Sequence, residues 1–498
     1  MIVTCAEMKA LEQRAFADGV SPAALMEEAG AQIAAAVRQF CPTAGRCVVF
    51  FGKGHNGGDA LVAARHLAAT NWEIELQAAF PEEEWSESAR QRHRQFQDAA
   101  RSFRKTNRSE TRPPASVVLD GLLGIGSSGA LRGPVRAAAK EINRLRTAEG
   151  ALVFALDLPS GLDAESGAAD ADCVVADHTL TVGFAKRGLL ADGAAHFVGR
   201  LAVLPLAELS ARADSAHPAE TVATSRTLAA LLPRRSFDTH KGECGRVGIV
   251  AGSVGLTGAA VMTAEACVHA GAGLVTLYVT PDIYPIIAAR IAPEVMVMPV
   301  ASYEEIVSVR HDVIAIGPGL GGARPAEVLA LIERVHQPMV VDADALTILA
   351  SRIETLDHCL GPRLLTPHPG EMARLEHAST MRSRRGAVEA FTGRFPSTLL
   401  LKGARTLVGE RGFPLSYNTT GHPGMATGGM GDVLTGVSAA LAGQGLRLYD
   451  AARLGAWLCG RAAELAISGG AQSGESLSAT HVIAQLGAAF KNLRAGCW

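Results

Sequence analysis

Aspartates that accompany glycine-rich loops are the residues of this chain best suited to acid–base chemistry. In the second half, Asp432 follows the run 428–431 (Gly-Gly-Met-Gly) and precedes apolar residues at helical spacing. Backbone amides of such a loop can stabilise a phosphoryl group during transfer, and the carboxylate can accept a hydroxyl proton beside it. The alternative is that Asp432 only caps the helix. The motif therefore predicts phosphoryl transfer with Asp432 as the base.

Three aspartates in the first half occupy comparable places. Asp59 follows a glycine pair, and Asp120 and Asp157 stand at the ends of apolar runs that are typical of buried strands. Because the carboxyl ends of parallel strands share one edge of a sheet, we expect the three loops to converge on one crevice. A carboxylate there can act as a base or an acid, whereas the alternative is a residue that forms a turn or caps a helix. For Asp157 we favour chemistry, and for Asp59 both interpretations stay open.

Two loops of the first half, 52–57 and 124–129, have the spacing G-x-G-x-x-G after a predicted strand. Such loops can cradle phosphates with the amides of a helix N-terminus, but they also occur as plain tight turns. No acid follows the first loop by about twenty residues at a strand end, which argues against a dinucleotide-dependent oxidoreductase.

Three further loops follow predicted strands in the second half. Lys402 and Arg405 can pair with nucleotide phosphates, and the alternative for Lys402 is a merely solvated lysine. His368, between two prolines, either contacts a substrate or makes a structural hydrogen bond. No G-x-x-x-x-G-K-[ST] motif occurs at these loops, which argues against a P-loop enzyme. The loops are 317–321, 366–371 and 402–406.

These motifs depend on an alternation of strands and helices. Short apolar runs separated by helical patterns predict, in each half, a parallel sheet covered on both faces. Ser21 and Pro22 predict the start of one helix, and another is predicted over 60–69. The predicted strands are 47–51, 74–79, 117–119, 152–156 and 179–184 in the first half, and 247–251, 274–279, 313–316, 339–341, 364–366 and 398–401 in the second.

Length and composition restrict the class of protein. The 498 residues suffice for two or more domains, and 47 Lys+Arg against 49 Asp+Glu give a formal net charge of -2, which argues against nucleic-acid binding. Nine cysteines without a C-x-x-C pair indicate the reducing cytoplasm rather than a disulfide framework. We expect neither a signal peptide nor a membrane span. A polar stretch at 206–235 predicts a boundary between domains 1–215 and 222–498.

The first-half loops resemble those of the NAD(P)H-hydrate epimerases. The resemblance rests on 55–60 (His-Asn-Gly-Gly-Asp-Ala), 120–124 (Asp-Gly-Leu-Leu-Gly) and 157–163 (Asp-Leu-Pro-Ser-Gly-Leu-Asp), and it covers about residues 1–210. The first of these motifs departs from the family at both ends, where the usual residues are Asn and Gly. The glycine pair is intact.

This resemblance implies a Rossmann-like three-layer αβα domain that interconverts the R and S epimers of hydrated NADH and NADPH. It implies that Asp157 moves the proton. It also implies a potassium ion, held with the help of Asn56, Asp120 and Ser160; such oxygen ligands suit a hard cation. The substrate-binding residues that it implies are His55, Asn56, Gly57, Gly58, Asp59, Gly124, Ile125, Gly126, Ser127, Ser128, Gly129, Ala130 and Asp157.

The second half resembles the ribokinase superfamily, and within it the ADP-dependent NAD(P)H-hydrate dehydratases. The agreement covers about residues 222–498. It rests on five separate loops, which makes it specific. These are 240–242 (His-Lys-Gly), 317–321 (Gly-Pro-Gly-Leu-Gly), 366–371 (Thr-Pro-His-Pro-Gly-Glu), 402–403 (Lys-Gly) and 428–434 (Gly-Gly-Met-Gly-Asp-Val-Leu).

The second resemblance implies a ribokinase-like αβα domain that binds ADP and magnesium. Asp342 and Asp344 can help a magnesium ion or equally cap the next helix, and both interpretations stay open. The implied substrate contacts are Ala259, Gly319, His368 and Asp432, and the implied nucleotide contacts are Lys402, Gly403, Ala404, Arg405, Thr406 and Gly431.

Together the halves predict repair of hydrated nicotinamide dinucleotides, by epimerisation and then ADP-dependent dehydration of the S epimer to NADH or NADPH, AMP and phosphate. We expect small-molecule substrates, a homo-oligomer, and neither nucleic acid nor a membrane as partner. Three alternatives stay open. The second half can be a vitamin or sugar kinase, the chain an oxidoreductase, or the first half a non-catalytic binding module.

Overall fold

The chain divides into two compact units in a computed structural model. Unit 1 comprises Met1–Pro218 with Trp498, and unit 2 comprises Ala219–Cys497. Ser128, one of the residues predicted to bind substrate, lies outside the described residues. The residues that the structure describes are 1–103, 116–127, 129–213, 218–377 and 383–498.

Unit 1 is built on parallel strands. They are β1 (Ile2–Val3), β2 (Arg46–Phe51), β3 (Glu73–Ala78), β4 (Val117–Gly121), β5 (Leu152–Leu156), β6 (His178–Val182), β7 (Ala185–Lys186) and β8 (Arg200–Leu204). The main sheet has the strand order β3-β2-β4-β5-β6-β8 and is parallel throughout. The strands β1 and β7 form a separate parallel pair. All carboxyl ends of the main sheet therefore meet at one edge, as predicted.

The helices of unit 1 cover both faces of its main sheet. They are α1 (Cys5–Ala17), α2 (Pro22–Phe40), α3 (His55–Ala68), α4 (Glu87–Phe103), α5 (Gly133–Glu149), α6 (Ala195–Val198) and α7 (Ala207–Arg212). Val49 of β2 packs in one apolar cluster with residues of α2 and α3, and its neighbour Val48 packs in another with residues of α5. Because successive strand residues point to opposite faces, both faces need apolar cover.

Two predictions about these helices had different outcomes. The start of a helix at Ser21 and Pro22 is confirmed, since Ser21 caps α2 and Pro22 is its first residue. The start predicted at residue 60 is wrong, because α3 already begins at His55. The glycine-rich stretch that looked like a loop therefore forms the first turn of the helix, which brings its amides to the carboxyl edge of the sheet.

Unit 2 has a larger sheet with the order β12-β11-β10-β13-β14-β15-β16-β17-β18-β9. Neighbouring strands are parallel, except for β16 with β17 and β17 with β18. The strands are β9 (Glu220–Ala223), β10 (Arg246–Val250), β11 (Leu274–Val279), β12 (Val295–Pro299), β13 (Val313–Ile316), β14 (Met339–Val341), β15 (Arg363–Leu365), β16 (Thr398–Leu401), β17 (Leu407–Gly409) and β18 (Leu415–Asn418).

Both faces of the sheet of unit 2 are also buried. Residues of α9, α15, α16 and α17 share one large apolar cluster with alternate strand residues, and strand residues outside it, such as Ile316 and Val341, are buried as well. The helices are α8 (Ser225–Leu228), α9 (Thr257–His269), α10 (Tyr284–Ala288), α11 (Pro325–Arg334), α12 (Ala343–Ala350), α13 (Pro369–Leu375), α14 (Arg384–Arg394), α15 (Met430–Gly443), α16 (Leu448–Ser468) and α17 (Ala479–Arg494).

The sequence patterns placed the central strands to within about two residues but missed β1, β7, β8, β9, β12, β17 and β18. Most of these lie at or near a sheet edge, and several are only two to four residues long or contain polar residues, which weakens the apolar signal. The strand β9 lies in the polar stretch that was interpreted as the region between domains, and it pairs with β18 of unit 2.

Candidate active sites

In unit 1, glycines let α3 approach the ends of β2 and β4 closely. A Cβ on Gly57 would lie 2.1 Å from the carbonyl oxygen of Gly52, and one on Gly121 would lie 2.5 Å from the Cβ of Ala60. Any side chain would collide with backbone or helix there. The loop after β2 and the first turn of α3 therefore lie directly against the end of β4.

Asp120, in β4, is fully buried and bound by the loop that follows β5. Ser160 donates from Oγ to Asp120 Oδ1 at 2.7 Å and from its backbone amide to Oδ2 at 2.8 Å. The amide of Leu122 donates to Oδ1 at 3.3 Å. Burial raises the pKa of Asp120 to about 6, although these hydrogen bonds act in the opposite direction. Asp120 thus ties two neighbouring loops together.

Asn56 connects the same two loops from the side of α3. Its Nδ2 donates to the carbonyl oxygens of Leu123 at 2.7 Å and Leu156 at 3.0 Å. Its Oδ1 accepts no hydrogen bond from the residues that the structure describes. Ser160 Oγ accepts from the amide of Leu123 at 3.1 Å, so Asn56 and Ser160 engage the same residue. The three residues predicted to help hold potassium are therefore brought together.

Asp157 follows β5 and has an unusual backbone, with φ at +68°. Its Oδ1 accepts from the ammonium of Lys186, from Thr181 Oγ1 at 3.3 Å and from the amide of Val182 at 3.4 Å. A Cβ on Gly124 would lie 3.9 Å from Asp157 Oδ2 and 3.3 Å from Asn56 Cβ, so this glycine borders both side chains. Of these partners, the sequence analysis missed Lys186 and Thr181, because neither belongs to a motif.

Further carboxylates lie close enough to Asp157 to interact with its charge. Burial, together with the negative charges of Asp157 and Glu12, raises the pKa of Asp59 well above its usual value. Burial also raises the pKa of Glu12, on α1. The predicted phosphate loop after β4 is closed by Ser127, whose Oγ donates to the carbonyl of Gly124 at 2.8 Å. Unit 1 thus gathers carboxylates around Asp157 beside a glycine loop.

In unit 2, Asp432 lies in the first turn of α15 but does not cap it. The cap is Gly429, with φ at +88°. A Cβ on Gly429 would lie 2.7 Å from Met262 Sδ and 2.9 Å from Ala479 Cβ, so this position requires glycine. The capping interpretation of Asp432 is therefore wrong, and its carboxylate is available for chemistry at a helix N-terminus.

A buried ion pair lies behind Asp432. Lys402 Nζ is 2.7 Å from Asp342 Oδ1, and Thr435 Oγ1 donates to Asp342 Oδ2 at 2.8 Å. Asp342 occupies the N-cap position of α12, but its side chain makes no capping bond. A Cβ on Gly431 would lie 3.3 Å from Lys402 Nζ. The pair therefore links the loop after β16 to the end of β14, and Thr435 links it to α15.

The charges around Asp432 set its acidity. Burial raises the pKa of Asp432 to about 6, and the charge of Asp342 adds to this, while the ammonium of Lys402 opposes it. Burial alone would lower the pKa of Lys402, but the carboxylates of Asp342 and Glu371 raise it. Lys402 therefore stays charged and is shared among several carboxylates.

The other predicted residues of unit 2 lie at the same edge of the sheet. A Cβ on Gly319 would lie 3.0 Å from that of Ala259. His368 caps α13, because its Nδ1 accepts from the amides of Gly370 at 3.0 Å and Glu371 at 3.3 Å. Glu371 Oε2 in turn lies 3.9 Å from Lys402 Nζ. His368 therefore caps α13 through Nδ1, and its Nε2 takes no part in the cap.

The loop 402–406 has backbone features that suit contact with a ligand. Gly403 has φ at +155°, and a Cβ there would lie 2.6 Å from the guanidinium of Arg384. Thr406 Oγ1 donates to the carbonyl of Gly403 at 3.2 Å. Arg405, in the same loop, is buried.

Asp342 and Asp344, the two aspartates considered for magnesium, differ in how many of their oxygens already accept hydrogen bonds. Both oxygens of Asp342 are already bound, and Asp344 Oδ2 accepts from the amide of Gly321 at 2.8 Å. Within the described parts of the chain, no group of three or more His, Cys, Asp and Glu side chains is placed to hold a metal ion.

None of the helices in the described parts of the chain is long and apolar enough to cross a membrane.

Comparison with known proteins assigns both units to families. A family model described as NAD(P)H-hydrate dehydratase matches residues 247–485, and one described as YjeF-related protein N-terminus matches residues 22–188. A solved structure of the ADP/ATP-dependent NAD(P)H-hydrate dehydratase from Bacillus subtilis, co-crystallised with ATP and Mg²⁺, is 26% identical with a TM-score of 0.50. It covers 56% of this chain and 100% of its own. Unit 2 thus has a ribokinase-like dehydratase fold.

Two relatives extend over nearly the whole chain. The bifunctional NAD(P)H-hydrate repair enzyme Nnr of Moorella thermoacetica is 37% identical over 507 aligned residues, covering 93% of this chain and 92% of its own. The Escherichia coli protein of the same name is 35% identical over 449 aligned residues, covering 89% and 84%. The chain therefore belongs to the family of bifunctional NAD(P)H-hydrate repair enzymes.

Proposed function

We propose that unit 2 dehydrates the S epimer of hydrated NADH or NADPH at the expense of ADP, with Asp432 as the base. The observation that carries this proposal is the position of Asp432 in the first turn of α15, behind a glycine cap and with its pKa raised to about 6. A carboxyl of that acidity is ionised at neutral pH and still basic enough to accept a hydroxyl proton.

The chemistry needs an activated leaving group, because hydroxide leaves a carbon atom poorly. The substrate hydroxyl oxygen bonds to the β-phosphorus of ADP as its proton passes to Asp432, and the bond to AMP breaks. The lone pair of the ring nitrogen then expels phosphate, and loss of a proton from the adjacent carbon restores the reduced ring. Amides of 429–431 lie at the helix N-terminus, where they can stabilise the charge of the phosphoryl group.

The nucleotide contacts follow from the loops around the ion pair. Residues 402–406 and Gly431 would contact ADP, and Ala259, Gly319 and His368 would contact the dinucleotide. Both oxygens of Asp342 already accept a hydrogen bond, whereas Asp344 Oδ1 accepts none from the described residues and is the more open of the two. Magnesium is commonly held by one or two carboxylates together with phosphates, and when bound it would neutralise phosphate charge.

Unit 1 would interconvert the two epimers through Asp157. The carboxylate takes the proton of the hydroxyl, the bond from that carbon to the ring nitrogen breaks to leave a carbonyl, and the proton is returned to the nitrogen. Closure on the other face of the carbonyl reverses these steps and inverts the carbon. The loops 55–59 and 124–130 would hold the dinucleotide beside Asp157, with glycines where the backbone must approach closely.

The residues proposed for potassium fit an oxygen-coordinated cation. Asn56 Oδ1 accepts no hydrogen bond from the described residues, and Asp120 and Ser160 place a carboxylate and a hydroxyl on the same loops. A potassium ion, when bound, would supply positive charge for the anionic dinucleotide. Asn56, Asp120 and Ser160 also hold the loops that border Asp157, with or without the ion.

The test uses the full chain with separated R and S epimers and ADP. With the S epimer we expect recovery of reduced-ring absorbance and equal amounts of AMP and phosphate. With the R epimer alone, consumption should depend on conversion to S. A stable phosphorylated product would instead indicate a kinase, and net loss of reduced-ring absorbance an oxidoreductase. Failure to interconvert the epimers without ADP would leave unit 1 as a binding module. Light scattering tests the expected homo-oligomer.

A further inference from the structure

Lys186 is a fully buried lysine with no place in the sequence motifs. Its side chain is 1% exposed. Its ammonium donates to Asp157 Oδ1, to Thr181 Oγ1 at 3.2 Å and to the carbonyl of Val182 at 2.9 Å. These three acceptors use all three hydrogens of the ammonium, so Lys186 has none left for a substrate.

The local fold fixes this lysine in place. Lys186 lies in the two-residue strand β7, where it is the register partner of Val3 in β1. The chain passes from β6 to β7 through Gly183. This glycine has φ at +73°, and a Cβ on it would lie 2.9 Å from Met8 Cε. The amino-terminal strand and helix α1 therefore help to set the position of the ammonium.

Lys186 engages only one oxygen of Asp157. Thr181 and the amide of Val182 also donate to Oδ1, whereas Oδ2 accepts no hydrogen bond from the described residues. Oδ2 faces the side of Gly124, at the loop proposed to hold the dinucleotide. A buried charge is costly unless it is paired, and removal of one partner leaves the other uncompensated. The ion pair therefore orients the carboxylate and compensates its buried charge.

We propose that Lys186 is a positioning residue for epimerisation, which holds Asp157 by Oδ1 as a carboxylate so that Oδ2 is the atom that exchanges the proton with the substrate. This inference rests on the proposed function of unit 1. Among the other titratable groups near Asp157, Glu12 on α1 and Asp59 on α3 are carboxyl groups that act against Lys186, and Cys5 is a thiol. His55 and Arg92 are cationic groups that face these two carboxyls. Lys186 supplies the balancing positive charge.

The decisive variant is Lys186→Met, which keeps the length of the side chain and removes the charge. In the full chain, we expect kcat for R-epimer interconversion to fall about 100-fold or more, with KM changed less than about threefold. KM should change little, because the contacts to the dinucleotide are intact while the carboxylate is no longer held by Oδ1. Lys186→Arg, which restores a positive charge and hydrogen-bond donors, should recover part of kcat.

Controls separate this role from a purely structural one. Dehydration of the S epimer by unit 2 should be unchanged, and Lys140→Met, at an exposed lysine of α5, should leave both activities unchanged. If Lys186→Met does not fold, Thr181→Val removes one hydroxyl from the same cluster and should give a smaller loss of kcat. Interconversion within twofold of wild type, a rise in KM as large as the fall in kcat, or no recovery in Lys186→Arg would overturn the inference. A wild-type chain that interconverts nothing would instead refute the proposed function of unit 1.

Discussion

The two units place an aspartate and a buried lysine at the carboxyl edge of a parallel sheet, yet they pair them differently. In unit 1, Lys186 binds Asp157 directly. In unit 2, Lys402 binds Asp342, and Asp432 has no ion pair within the described residues. An ion pair fixes the orientation of the Asp157 carboxylate, whereas burial beside another carboxylate makes Asp432 a stronger base. The same residue types thus serve two acid–base tasks.

The backbone around the two aspartates differs as well. Asp157 follows a strand with φ at +68°, a conformation that costs a non-glycine residue about 1–2 kcal/mol and is tolerated when the surroundings fix it. Asp432 lies in a regular helical turn, and the unusual conformation belongs to the glycine cap before it. In unit 1 the reactive residue itself has the unusual backbone, and in unit 2 its neighbour does.

The largest expected effect comes from crossing the two aspartates. Asp432→Asn should lower ADP-dependent dehydration by about 10²–10⁴-fold and leave R–S interconversion intact, because it removes only the base of unit 2. Asp157→Asn should do the reverse, so that the S epimer is consumed normally and the R epimer is not. Assays with each separated epimer measure both activities. Asp450→Asn, in the first turn of α16, is the matched control. Equal loss of both activities in either variant would contradict the division of labour.

The glycine cap of α15 should be the next most sensitive position. Gly429→Ala combines a left-handed φ with contacts below 3.0 Å to Met262 and Ala479, so the amides before Asp432 must move. We expect dehydration to fall about 10- to 100-fold, since a displacement of about 1 Å can cost this much. Gly445→Ala is the control, because Gly445 has φ at +95° but open space around it. Equal losses in both variants would show that backbone strain alone is responsible.

The acidity of Asp432 offers a sharper test of the comparison. Dehydration should rise with pH through about pH 6, as Asp432 loses its proton. Asp342→Asn removes the negative charge that raises this pKa and takes from Lys402 its nearest carboxylate, so the acidic limb of the pH profile should move to lower pH by about half to one unit. Asp344→Asn should shift it less in the same direction. A shift to higher pH in Asp342→Asn would contradict this arrangement of charges.

The smallest expected effect is on stability. The pKa of Asp432 is about 6 in the folded chain and 3.8 without the fold, so the folded state holds the proton more tightly. Ionisation of Asp432 therefore destabilises the fold above about pH 6, and the penalty disappears as the pH falls below about 4. Asp432→Asn should raise the free energy of unfolding of unit 2 by about 1–3 kcal/mol near pH 8. Urea unfolding of the variant and the wild type, near pH 8 and below about pH 4, measures this difference in the free energy of unfolding. A stabilisation of the variant that persists below about pH 4 would contradict the pKa assigned to Asp432.

Much of the fold could be predicted because buried parallel strands are short, continuous apolar runs. The central strands of both sheets follow this pattern, and glycine loops at their ends predicted where Asp157 and Asp432 would lie. The strands at one end of the larger sheet were not predicted. There β9 and β18 mix polar with apolar residues, and they pair although they are far apart in the sequence. The start of α3 was misplaced because its first turn is rich in glycine, a poor helix former that is needed here for close approach.

Only some residues of the candidate sites could be predicted, because sequence patterns are local. A motif identifies residues that are close in sequence, so the glycine loops and their aspartates were found. Lys186 is distant in sequence from Asp157 and belongs to no motif. Asp342 was noticed, but its bond to Lys402, 60 residues away in sequence, was not foreseen.

The sequence by itself determined two α/β domains, the loops at the carboxyl edges of their sheets, and the aspartates placed there, because strand periodicity and glycine requirements are local properties. Only the tertiary structure decided which lysine meets which aspartate. That choice depends on the register of β1 with β7 and on the packing of α15 beside β14. Because burial and charge act through space, the pairing of these lysines sets the chemistry of the two aspartates.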